Sequence, residues 1–291
     1  MALFKQVTIV GLGLIGGSLG MAVKRRRIAR EVVGLSRHPA TLRRAKARRA
    51  IDVGTTDPER AVRDADLVIL ATPVDTIVPY AKRLARSMRP GSVLTDVGST
   101  KARIVTALER SLPKHVAFVG GHPIAGSEQR GIEAAHAALF AGTLCILTPT
   151  TRTPRRALER VIRLWKPLTG HVITMSPTQH DRLLAGTSHL PHLLAYGLSL
   201  SGDPASLPRT PRSFLDMTRL AKSDPGLWDD IFLTNRAEVL AAMDRFEGRW
   251  RTIRRLIARP DRAALRRLLA RAKATRDALN DSDKQQATSN T

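Results

Sequence analysis

Cysteine is almost missing from this chain of 291 residues: Cys145 stands alone, so no disulfide can form within the chain. Its neighbours Leu144, Ile146 and Leu147 are apolar, which suits a buried strand residue better than a nucleophile. Aromatic side chains make up only 4%, and no interleaving of basic and aromatic residues offers a platform for stacked bases. No apolar run approaches the roughly 18 residues that would span a bilayer. A strand pattern begins almost at the first residue, so no secretory leader is expected and the cytoplasm is the expected location. Acidic residues are scarce as well, 25 against 48 Lys and Arg, for a net charge of +23. That excess raises nucleic-acid binding as a rival reading. The positive charge is spread over 24–27, 43–49, 152–163 and 249–271, however, and solvated helix faces account for it. Weak, salt-sensitive association with nucleic acid is expected; specific recognition is not. What remains, 43% hydrophobic and 25% charged residues, is ordinary for a globular protein with room for two domains.

The most informative segment that is present is Val7-Thr8-Ile9-Val10-Gly11-Leu12-Gly13-Leu14-Ile15-Gly16-Gly17. A β-branched run leads into G-x-G-x-x-G, and a helical pattern follows. Strand, glycine turn and helix in that order are the context of a dinucleotide-binding fingerprint. Gly11 makes the tight turn, Gly13 lets the backbone approach a pyrophosphate, and Gly16 permits close packing. Leu14 and Ile15 open a helix whose free N–H groups face the phosphates.

The first part of the chain alternates short apolar runs, at 6–10, 31–35, 66–71, 92–96, 116–120, 143–148 and 171–175, with helical patterns such as 17–29, 39–49, 74–88 and 100–111. This alternation predicts an α/β, doubly wound, parallel sheet. Ligands of such sheets bind beyond the carboxyl ends of the strands, where Thr72 and Pro73 follow the run 66–71. After 175 the pattern is helical, opening on Ser176-Pro177, a good cap and first helical residue. Helices are predicted over 177–200, 226–257 and 261–279, with a proline-rich loop at 202–213. Domains are therefore expected at 1–175 and 176–280, with a disordered polar tail at 281–291.

The second strand ends about 20 residues past Gly16, where an NAD-selective site carries an acid on the ribose hydroxyls. Here Ser36-Arg37-His38 stands instead. A hydroxyl and a guanidinium suit a 2′-phosphate, so NADP is favoured, with NAD still possible.

Polar residues cluster oddly in three further segments: Thr95 to Lys101, Gly120 to Glu128, and Gln179 to His192. His122, placed between glycines and Pro123 at the expected end of a strand, is an uncomfortable core histidine and a candidate functional group. Asp181, Ser188 and His192 lie seven and then four residues apart, a spacing that puts them on one face of a regular helix. His189-x-x-His192 invites a metal reading, but no further His or Cys at ligand spacing supports it, and no metal is expected.

Taken together, the segments GLGLIGGS (11–18), DVGSTK (96–101), GGHPIAGSE (120–128), HD (180–181), SHLPH (188–192) and FLDMTRLAKSDPGLW (214–228) resemble the prephenate/arogenate dehydrogenase family of tyrosine biosynthesis. The resemblance implies a Rossmann-type domain followed by an all-α domain through which two subunits form a homodimer. It implies oxidative decarboxylation of prephenate, or of its amino analogue arogenate: hydride passes to the nicotinamide, carbon dioxide leaves and the ring becomes aromatic. It further implies His122 as the base toward the ring hydroxyl and Ser99 beside that hydroxyl. Arg219 becomes the anchor for the side-chain carboxylate. His192, Ser188 and Glu128 line the pocket, Asp181 and Asp216 orient their neighbours, and Trp228 closes the site. Upstream of Phe214, this chain has Thr210-Pro211-Arg212-Ser213 where the family usually has glycines. A hydroxyacid dehydrogenase is the rival enzyme, but 177–200 lacks the lysine it would require.

Overall fold

The computed structural model describes residues 2–126, 129–202 and 210–288. Eight strands form one sheet in the order β3-β2-β1-β4-β5-β6-β7-β8. They are β1 (Phe4–Val10), β2 (Ala29–Leu35), β3 (Val53–Thr55), β4 (Leu67–Leu70), β5 (Val93–Asp96), β6 (Ala117–Ile124), β7 (Leu144–Thr148) and β8 (His171–Thr174). The first six follow the doubly wound order 3-2-1-4-5-6 and pair in parallel, which is the Rossmann arrangement. The helices between them are α1 (Leu14–Arg25), α2 (Pro39–Ala47), α3 (Pro58–Val62), α4 (Val74–Ala85), α5 (Ala102–Ser111) and α6 (Arg155–Trp165).

Every residue of β4 is buried, as a central parallel strand covered on both faces must be. Alternation decides the destination of each side chain. Leu67 and Ile69 join the core with Val7, Ile9, Leu19 and Trp165. Val68 and Leu70 enter the opposite layer with Val10, Ile77, Leu84 and Leu94.

Two boundaries depart from the sequence expectation. β3 is an additional, eighth strand: three residues including Gly54 carry too little apolar pattern to be read. β6 does not stop at 120 but runs on to Ile124, so His122 lies inside a strand. β6 pairs in parallel with β5 as far as Val119. It then pairs antiparallel with β7, with His122 opposite Ile146. Residues 120–124 thus project past the end of β5, and His122 still reaches the carboxyl edge of the sheet.

Beyond β8 the described residues are helical: α7 (Pro177–Leu184), α8 (Leu190–Leu200), α9 (Arg212–Thr218), α10 (Pro225–Thr234), α11 (Arg236–Ala258) and α12 (Arg262–Thr288). α7 begins with a capping box, in which Ser176 Oγ accepts the Gln179 N–H and Gln179 Oε1 accepts the Ser176 N–H; such a cap contributes about 1 kcal/mol. One wide π-turn, Ala185–His189, joins α7 to α8. The helix expected over 226–257 breaks at Asn235, between α10 and α11. α12 continues beyond residue 280 into the stretch expected as a tail, and residues 289–291 lie outside the described residues.

Residues 1–239 form one compact unit and 240–291 a second. The described helices α7, α8, α9 and α10 therefore belong to the sheet-bearing body. The second unit carries Phe246 stacked on Trp250 at 6.1 Å between ring centroids, and leaves Trp250, Ile257, Leu269 and Leu279 exposed. No described helix is long and apolar enough to cross a membrane.

Candidate active site

The glycine turn lies at the end of β1. Gly11 has φ +90°, and a Cβ built on it would lie 2.5 Å from the Ala71 carbonyl oxygen and 3.0 Å from Thr72 Cγ2. A Cβ on Gly16 would lie 1.9 Å from the Gly11 carbonyl oxygen. Around Gly13 the situation reverses, since a Cβ there meets nothing within 4 Å. Two glycines are required by the turn itself, whereas the third faces open space, as a backbone reserved for a close-approaching ligand should. Gly13 is also the N-cap of α1 and supplies no side-chain cap, which leaves the helix N–H groups at Leu14 and Ile15 free for phosphate oxygens. Thr72 and Pro73 stand beside this turn at the end of β4, with the Thr76 hydroxyl 2.9 Å from that of Thr72. Ser36 and Arg37 follow β2; Arg37 is exposed, and the Ser36 hydroxyl accepts the His38 N–H.

At the carboxyl edge of β5 and β6 the polar residues interlock. His122 Nδ1 is 2.9 Å from His180 Nε2, and His180 Nδ1 is 2.7 Å from Asp181 Oδ1. Asp181 also accepts the backbone N–H groups of Lys101 and Ala102, at 2.7 and 2.8 Å, at the start of α5. Lys101 and Asp96 form a fully buried ion pair. Lys101 Nζ also donates to the Gly121 carbonyl, and Asp96 Oδ1 accepts the Gly121 N–H. Gly121, the residue before His122, is thereby held at both its N–H and its C=O. Removing either charge would leave the other buried and uncompensated, a loss of about 3–5 kcal/mol. Burial pushes the His122 imidazole well below its ordinary 6.5, and the neighbouring His180, Lys101 and His189 add to the shift. The ring is neutral near pH 7, as a base must be.

A second group surrounds Trp228, which is 8% exposed. His192 stacks on it, with ring centroids 3.5 Å apart and planes 23° apart, while His192 Nδ1 donates to the Ser188 carbonyl. Burial lowers the pKa of His192, the Ser188 carbonyl opposes that shift, and the Arg219 charge adds to it; the Arg219 side chain is exposed. His189 is also lowered, to about 4, mainly by burial. Asn235 connects the two groups, donating to the Asp181 carbonyl at 2.8 Å and to His189 Nδ1 at 3.2 Å. Ser99 is half-buried beside Thr100, whose hydroxyl is 3.0 Å from that of Thr234.

Several expectations require correction. Asp181 is 2% exposed and its carboxylate is engaged by α5 and His180, so it holds these neighbours and does not itself meet a substrate. It does not share a face with Ser188 and His192 either, since the wide turn changes the phase of the helix between them. Asp216 points to solvent and lies 4.0 Å from Arg212, so it orients no pocket residue. Glu128 lies outside the described residues. His180, Lys101 and Asn235 were missed as individual residues. The adjacent His180-Asp181 pair carried a signal, whereas Asn235 carried none beyond its weak helix propensity. Among the described residues no cluster of His, Cys, Asp and Glu could hold a metal. Cys145, fully buried in β7, has its thiol pKa pushed up by burial.

Residues 19–174 match the family described as "Prephenate dehydrogenase, nucleotide-binding domain", and residues 176–271 match "Prephenate dehydrogenase, dimerization domain". The chain belongs to the prephenate dehydrogenase family. It is a dehydrogenase with a nucleotide cofactor. The first match begins after the glycine turn, so the cofactor role of residues 11–16 rests on their own geometry. Cyclohexadienyl dehydrogenase of Zymomonas mobilis is 37% identical over 90% of this chain and 91% of its own. Prephenate dehydrogenase of Bacillus subtilis is 35% identical over 94% of this chain and 76% of its own. Among solved structures, prephenate dehydrogenase of Aquifex aeolicus with hydroxyphenyl propionate and NAD+ aligns with a TM-score of 0.88 at 37% identity, over 94% of this chain and 98% of its own. Arogenate dehydrogenase of Synechocystis aligns at 0.83 and 28% identity, over 94% and 99%.

Proposed function

We propose that this protein oxidises and decarboxylates prephenate to 4-hydroxyphenylpyruvate as a homodimer, using NADP in preference to NAD. When bound, the nicotinamide accepts the hydride from the ring carbon that bears the hydroxyl. His122 takes the hydroxyl proton, Ser99 contacts the same hydroxyl, and Arg219 grips the side-chain carboxylate through its guanidinium fork. Ser188, His192 and Trp228 shape the wall around the ring, with Glu128 as a further contact. Loss of carbon dioxide aromatises the ring and drives the reaction, so what the protein must do is position the ring and accept one hydroxyl proton. The observation that carries the reading is a half-buried imidazole, its pKa lowered by burial, at the carboxyl edge of a sheet whose glycine turn leaves space for a pyrophosphate.

The coenzyme preference rests on Ser36 and Arg37 standing after β2 in place of an acid. The exposed apolar side chains of the second compact unit are available for a subunit interface. Steady-state turnover of prephenate and arogenate, each with NADP and with NAD, tests the proposal. Prephenate with NADP is expected to give the highest kcat/KM, and Arg37→Ala to narrow the gap between coenzymes by about ten- to 150-fold, one charge-assisted hydrogen bond. Higher kcat/KM with arogenate or with NAD in the unmutated protein would overturn the corresponding part.

A further inference from the structure

We propose that His180 and Asp181 are positioning residues that decide which nitrogen of His122 is free to act as the base. The inference rests on His122 being that base, and its argument is one of proton counting. The Asp181 carboxylate already accepts two backbone N–H groups, and a carboxylate can only accept. Its contact with His180 at 2.7 Å therefore places a proton on His180 Nδ1. Burial lowers the pKa of His180, so the ring is neutral and its Nε2 carries a lone pair. His122 Nδ1, 2.9 Å away, must then be the donor. The proton of a neutral His122 is thus committed to Nδ1, and the lone pair is left on Nε2, away from His180.

The same chain of contacts serves the next moment of the reaction. When Nε2 accepts the hydroxyl proton, the new positive charge on His122 faces an acceptor that is backed by a carboxylate. A fully buried histidine with both ring nitrogens engaged is a costly way to fill space, because a leucine would need no partners.

The test reads the tautomer directly. Ring ¹⁵N spectra of histidine-labelled protein, recorded at pH 7.5 without substrate or cofactor and assigned with His122→Asn, should show His122 protonated on Nδ1 and unprotonated on Nε2. In His180→Leu the Nδ1 partner is lost, and the signal should shift toward the Nε2–H form. kcat should fall about ten- to a hundredfold, less than the roughly 10²–10⁴ of losing the base itself, with KM little changed. His180→Gln can offer a carbonyl oxygen near the position of Nε2, so it should keep the Nδ1–H form and recover most of kcat. Should His180→Leu not fold, the unmutated protein and His180→Gln still decide the question. An Nε2–H tautomer in the unmutated protein, or full kcat in His180→Leu, would overturn the proposal. Because the spectra need no turnover, an Nδ1–H tautomer in a protein inactive on prephenate would refute the proposed function and leave this pairing standing.

Discussion

Gly13 and Gly16 belong to one motif, yet the structure makes them fail in opposite ways when each is changed to alanine. At Gly13 the new methyl group meets no protein atom within 4 Å, and φ −78° with ψ −157° is extended backbone that alanine adopts. The cost to folding is that of a poorer helix cap, within about 1 kcal/mol. The same methyl occupies the space through which a pyrophosphate approaches α1. Losing one charge-assisted hydrogen bond of roughly 1.5–3 kcal/mol weakens the coenzyme by about ten- to 150-fold. At Gly16 the methyl would sit 1.9 Å from the Gly11 carbonyl oxygen, far inside van der Waals contact, so the turn must deform. Overpacking of this kind costs about 1–3 kcal/mol, or roughly 2–4 °C in Tm for each kcal/mol. Thermal unfolding without ligand and a fluorescence titration with NADP and NAD separate the two effects. Gly13→Ala should lose affinity with its Tm lowered by no more than about 2–4 °C, whereas Gly16→Ala should lose affinity and more of its Tm. Unchanged coenzyme affinity in Gly13→Ala, or an unchanged Tm in Gly16→Ala, would refute the reasoning.

Three further outcomes follow from the site. His122→Asn should lower kcat by about 10²–10⁴ with coenzyme binding retained; in the unmutated protein kcat/KM should rise with pH along a limb below 6.5, because burial lowers this pKa, and a limb above 7 would point to another group. Arg219→Gln should raise KM by about ten- to 150-fold with a smaller effect on kcat, while the control Arg271→Gln changes neither; identical behaviour of the two would remove Arg219 from the site. His189, lowered to about 4, stays neutral in the fold while an unfolded chain takes up a proton below about 6.5, so stability is lost as the pH falls through that window. Between pH 7 and 5 this amounts to about 2 kcal/mol. Urea unfolding of His189→Asn, which retains an acceptor for Asn235, should show a pH dependence shallower by that amount, and equal slopes would contradict the assignment.

The glycine turn, the parallel sheet and the helical character after 175 were legible because each is a local pattern: a fixed spacing, an apolar run, a cap. His122 was legible as an oddity among glycines. Its place inside β6 was not, because Gly120, Gly121 and Pro123 are weak strand residues, and only the change of partner from β5 to β7 extends the strand past them. Asp181 was misplaced for a related reason. Its spacing to Ser188 and His192 assumed a helix of constant pitch, and the pitch changes between them. The commitment of Asp181 to α5 and His180, and of Asn235 to two segments at once, are contacts between distant stretches of chain that no periodicity records.

The wide turn at Ala185–His189 also bears on how this segment can change over time. A regular helix advances about 100° per residue, and a π-turn holds one residue more than its α counterpart. Deleting a residue here, or adding one, would swing His192 and the rest of α8 around the axis by that angle and away from Trp228. Substitutions in this stretch alter one contact at a time, whereas a change in its length would misalign a whole wall of the site. Length, more than composition, is therefore what descent must preserve between His180 and His192.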